Sequence, residues 1–110
     1  MSCNSCDNDT QFSNKDPIEK VNLTFNFQPA LATDEFIQSI ISVGVEVIAG
    51  VDADPTALLD GVPLINVSGV SVQQPVIGGL IGVSYRIVVL CLTTAGQELA
   101  CAGTLTIEQA

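Results

Sequence analysis

The sequence predicts an all-β fold: an immunoglobulin-like antiparallel β-sandwich led by an extended N-terminal arm. Three observations carry this. Apolar residues recur with period two in several segments, as in strands with one face buried. Turn-forming residues punctuate those segments at short intervals, giving six to eight short strands in about 100 residues. The apolar positions are rich in β-branched residues, which suit a pleated surface better than a helix. At 110 residues the chain fits one domain.

Residues 1–16 are rich in Asn, Asp and Ser, with Phe12 their only large aromatic residue. Such a segment cannot bury enough apolar surface to fold alone and reads as an arm, with the folded domain spanning 17–110. Val21, Leu23, Phe25 and Phe27 alternate with polar residues as a half-buried strand that Pro29 ends. Residues 29–35 read as a loop. The segment 36–51 reads as a strand with Ile41, Val43, Val45 and Val47 on one face, although helical spacing competes over 34–41. Gly44 inside it suggests a bulge or a close backbone approach. Asp52, Asp54-Pro55 and Asp60-Gly61 are turn chemistry. Short strands follow around 64–67, 70–73 and 75–77.

The last hairpin is the clearest element. Tyr85, Ile87, Val89 and Cys91 form one face of its first strand, and Leu99, Cys101, Leu105 and Ile107 one face of its second. A three-residue loop at Thr94–Gly96 sets Cys91 opposite Leu99 and makes Cys91 and Cys101 diagonal neighbours. A loop shifted by one residue sets them directly opposite. The pair is therefore an intrachain disulfide or two buried thiols, depending on register. The other face of the first strand carries Val88, Leu90 and Leu92 beside Arg86 and needs a cover of its own. A packed loop or a neighbouring subunit would provide it.

Cys3 and Cys6 form a C-x-x-C pair with no core to enter, so disulfides to a neighbouring chain or to the body are the leading reading. Zinc binding by four cysteines lacks a second C-x-x-C, and a redox centre would need a helix after a strand. The chain has no histidine, and hence no Ser-His or Cys-His nucleophile pair. Gly78–Gly82 leads into a strand and contains no Lys, so it reads as a turn rather than a phosphate loop. The acidic residues at 52, 54 and 60 do not match a calcium loop. No catalytic residue, metal or cofactor is assigned.

A net charge of −9, with only Lys15, Lys20 and Arg86 basic, argues against nucleic acid and anionic membranes as partners. Residues 76–92 approach a membrane-spanning length, but their glycines and Arg86 make them a turn and a buried strand. No secretory leader is read in residues 1–16. Charged residues are only 14% of the chain, so some apolar surface is expected to meet another protein.

Lys15-Asp16-Pro17, then Gly78-Gly79, Gly82 and Tyr85 in a Gly-Gly-x-x-Gly-x-x-Tyr run, then Thr93-Thr94-Ala95-Gly96 follow one another along the chain. This order resembles a group of small immunoglobulin-like virion proteins of tailed bacteriophages, over about residues 15–107. The resemblance implies a non-enzymatic virion protein that decorates or links major or minor capsid proteins, or neck or collar proteins. A fibre or collar adaptor on the tail side and a small extracellular binding module are the alternatives, and a homo-oligomer is compatible with each. Tryptophan and aromatic positions of the group after the first strand are absent here, and the cysteine arm is an addition to its pattern. Phe12, Val88, Leu90 and Leu92 are the candidate interface residues, and Cys3 and Cys6 the candidate intermolecular disulfide residues.

Overall fold

The computed structural model describes residues 10–12, 14–28 and 31–108. They form seven strands in two facing sheets, without an α-helix among the described residues. One sheet has the order β1-β7-β6-β3, made of β1 (Thr10–Gln11), β3 (Ile37–Ala49), β6 (Ser84–Thr93) and β7 (Glu98–Thr106). The other has the order β2-β5-β4, made of β2 (Lys20–Asn26), β4 (Leu64–Ile65) and β5 (Ser71–Ile77). All strand pairs are antiparallel except β1 with β7.

The period-two segments fall where alternation places them. Leu23, Phe25 and Phe27 are buried against Val72 and Val76 of the same sheet and against Tyr85, Ile87, Val89, Leu99 and Leu105 of the other. Each such aliphatic or aromatic side chain contributes about 1.5–3 kcal/mol on burial, so this double layer supplies most of the fold's stability. Residues 78–83 are a turn and 84–93 a strand, as their glycine and β-branched content predicts. No helix among the described residues is long and apolar enough to cross a membrane.

Three expectations along the chain change. Strand β3 opens at Ile37, as the β-branched content favours over a helix, and its irregularities lie between Ile37 and Ser39, Ile40 and Ser42, and Val47 and Ala49. Gly44 instead sits in regular register opposite Val88, with open space where a Cβ would be. The shift at Ile40–Ser42 turns Ile40 toward the core and leaves Ile41 47% exposed, so Ile41 does not share a face with Val43, Val45 and Val47. Residues 71–77 form one continuous strand through Pro75. A proline fits this central strand because β4 pairs only with Val72 and Gln73, leaving that side of Pro75 without a ladder partner to lose. Pro29 lies outside the described residues.

The turn between β5 and β6 is held by Tyr85. Its side chain is fully buried, yet its hydroxyl donates to Asp52 Oδ2 at 2.6 Å and accepts from the Leu80 N–H at 3.1 Å. Gly79 (φ +97°) passes so close to Ile107 that a Cβ would lie 2.7 Å from its Cγ1. Lys15 reaches the same turn from the N-terminal segment. It is 2% exposed, and its ammonium donates to the carbonyls of Gly78 at 2.7 Å and Asp16 at 2.9 Å. A second polar anchor sits at the far end of β6, where Thr93 Oγ1 donates to Glu35 Oε2 at 2.5 Å and Ala32 N–H donates to Oε1 at 2.9 Å.

Hydrogen bonds from Tyr85 and the Asp54 N–H hold the Asp52 carboxyl below its ordinary range. The Ala32 N–H and Thr93 do the same for Glu35. Both groups bind protons less readily in the native chain than in the unfolded one. The stability they contribute is complete above the ordinary carboxylate values near 4 and is lost as the pH falls through the depressed native values. Tyr85→Phe should cost about 1–2 kcal/mol near neutrality through its lost hydrogen bonds. In urea melts, the gap between wild type and this variant should narrow below about pH 4; a gap independent of pH would contradict the assignment.

Candidate functional site

Strand β6 presents its second apolar stripe on the outer face of the larger sheet. Val88, Leu90 and Leu92 are half-buried there, the first two each between two shorter residues. Gly44 and Ala102 flank Val88, Ser42 and Ala100 flank Leu90, and Ser39 and Glu98 flank Leu92. Small neighbours on both sides of Val88 and Leu90 leave a low apolar ridge, which Glu98 borders at Leu92. At its end, Arg86 pairs with Glu46 at 3.4 Å across an exposed site, a contact worth little in water. The packing of the inner face and the smallness of these neighbours both follow from one register, since a slip of one residue would bury Arg86.

Phe12, the other candidate interface residue, is engaged within the chain. β1 runs parallel to β7, with Thr10 opposite Gly103 and Gln11 opposite Thr104, and Lys15 continues the same edge opposite Ile107. The Phe12 ring then meets Phe25 edge-on, with centroids 5.3 Å apart and planes at 78°. Gly103 makes this approach available, because a Cβ there would overlap Cε2 of the Phe12 ring. Residues 10–12 and 15 of the polar segment thus lie along the sandwich edge. A glycine in an apolar strand is the sequence signal for such a close approach.

The cysteines separate by register. Cys91 stands opposite Leu99 and Val89 opposite Cys101, the diagonal arrangement that a three-residue loop gives. Cys91 is a buried free thiol, pushed up to about 11 by burial, which makes it a poor nucleophile. Cys101 is also buried but is disulfide-bonded, and not to Cys91. Cys3 and Cys6 lie outside the described residues.

The acidic turn residues have partners of their own. Asp52 binds Tyr85 and the Asp54 N–H, Asp54 accepts from the Thr56 hydroxyl, and Asp60 pairs with Lys20 at 2.9 Å. Among the described residues no cluster of three His, Cys, Asp or Glu side chains could hold a metal. Sequence reading missed the buried roles of Lys15 and Gln74, whose polar types gave no sign of entering the core.

Gly103→Ala should destabilise the chain by about 1–3 kcal/mol by displacing the Phe12 ring. The same substitution in a Phe12→Ala background should cost markedly less. Additive losses in urea unfolding would show that the two residues do not share the space. No family model matches the sequence, and no curated protein aligns with it, so the site rests on its own geometry.

Proposed function

We propose that the chain is a non-enzymatic virion structural protein of the immunoglobulin-like type. In this reading it decorates or links capsid or neck proteins of a tailed bacteriophage through the outer face of β6. The observation that carries it is the ridge of Val88, Leu90 and Leu92, an apolar stripe that one chain leaves half exposed on a sheet whose inner face is already packed.

Other features support the fold type and the family. A three-stranded β2-β5-β4 sheet facing β7-β6-β3, with a tyrosine near the start of β6 bonded back to the preceding loop, is the pattern expected of an immunoglobulin-like sandwich. The motif residues that carry the phage resemblance also have a common use. Lys15, Gly78, Gly79 and Tyr85 meet at one turn, so the motif fits a way of closing this sandwich rather than a catalytic centre.

The arm adds a covalent element. In this reading Cys3 and Cys6, which have no core of their own to enter, supply disulfides to a neighbouring chain. Non-reducing gels of purified particles should show the chain in a band of higher mass that reductant removes. Free monomer alone would contradict the intermolecular latch.

Val88→Glu and Leu90→Glu should lower the amount of the protein on purified particles at least tenfold while leaving its melting temperature within a few degrees of wild type. Full incorporation of both variants would exclude this face as the docking surface. Absence of the wild-type chain from particles would overturn the virion reading itself.

A further inference from the structure

A groove of about 460 Å³ opens at the other edge of the sandwich, between β3 and the segment that precedes β4. Its lining includes four consecutive residues of β3, Ile40 to Val43. The pairing shift between Ile40 and Ser42 interrupts the strand's alternation here, and all four residues border the groove along the strand's edge. That edge carries no strand partner among the described residues, because β3 ends the sheet and pairs with β6 alone. The opposite lip is formed by Leu59, Gly61, Val62 and Pro63. Among the described residues no ionisable side chain lines the groove, and Ile41 and Val62 on its rim are 47% and 74% exposed.

Gln74 also lines this groove and is fully buried. Its amide nitrogen donates to the carbonyls of Pro75 at 2.8 Å and Gly61 at 3.3 Å. Those two acceptors fix the amide's orientation, since the flipped form would set oxygen against oxygen. The Gln74 Oε1 that results is the one buried side-chain polar atom without a partner among the described residues. Leaving such an acceptor unmet costs about 1–3 kcal/mol, which a bound donor would recover.

We propose that this groove binds an extended peptide segment of a partner protein, added as a strand to the open edge of β3. The partner's backbone pairs with the Ile40–Val43 edge, its apolar side chains lie against Leu59 and Val62, and an uncharged side-chain donor reaches Gln74 Oε1. Edge addition supplies affinity through main-chain hydrogen bonds, while the buried acceptor selects the side chain. A charged segment is disfavoured, because nothing in the lining would pair with it. This site is separate from the outer face of β6, and it stands whether or not the chain belongs to a virion.

The test is an amide NMR titration of the full chain with a capped octapeptide of alternating valine and threonine. Two control peptides accompany it, one with O-methylthreonine to remove the donor and one N-methylated at alternate residues to remove strand pairing. Saturable shifts confined to residues 40–43 and 59–63 are expected, at least tenfold weaker in affinity for both controls. Gln74→Met, which keeps the side chain's length, and Val62→Glu, which changes only an exposed rim position, should weaken binding to the same extent with the fold retained. Absence of saturable shifts would overturn the proposal, as would equal affinity for the N-methylated peptide or for both variants. Saturation by tert-butanol without response to the peptide would mark a small-molecule cavity and overturn it equally.

Discussion

The hydroxyl of Tyr85 imposes the constraint around which this sandwich is organised. A phenol at the centre of an apolar layer must find partners there, and only a loop brought down onto it can supply them. The chain answers with the Asp52 carboxylate from one side and the Leu80 N–H from the other. Those contacts fix the β5–β6 turn, which in turn presents the Gly78 carbonyl to Lys15. Lys15 then secures the segment that β1 and Phe12 lay along β7. Core, turn and N-terminal segment are thus linked through a few polar atoms, and the register of β6 is set by the same residue that anchors the turn. With that register set, the inner face takes Ile87, Val89 and Cys91 and the outer face is obliged to carry Val88, Leu90 and Leu92.

Much of this was legible from residue types. Alternation located β2, β6 and β7, while of the two hairpin registers left open for Cys91 and Cys101 the structure has the diagonal one. The outer stripe of β6 followed from the same alternation. What escaped the sequence were long-range pairings that local pattern does not encode. Ile41 has the right period for the core but is displaced by a shift in pairing with β6, which depends on a partner about 50 residues away. Pro75 reads as the start of a separate short strand, yet it lies within β5, tolerated because β4 is too short to require a donor there. Lys15 and Phe12 sit in a segment whose composition speaks for an arm, and each is drawn in by one specific partner. Gln74 could not have been singled out, since glutamine in a strand ordinarily faces water.

The two candidate surfaces differ in kind. The ridge on β6 offers side chains alone, because the backbone beneath it is satisfied by neighbours on both sides. The groove at β3 offers backbone and one buried acceptor, which suits a strand rather than a flat face. The irregularities along β3 blunt that edge against indiscriminate pairing and leave a short stretch where a fitting segment can enter. A protein that uses both could rest on one neighbour and hold a strand of another. That arrangement matches the proposed role of joining parts of an assembly, with the cysteine arm as a third, covalent point.

The most direct test of the central claim is a density map of an intact particle at a resolution that traces strands. The account predicts the sandwich in regular copies on capsid or neck, with the outer face of β6 seated on a neighbouring chain. A map in which the sandwich is present but that face looks onto solvent would contradict it.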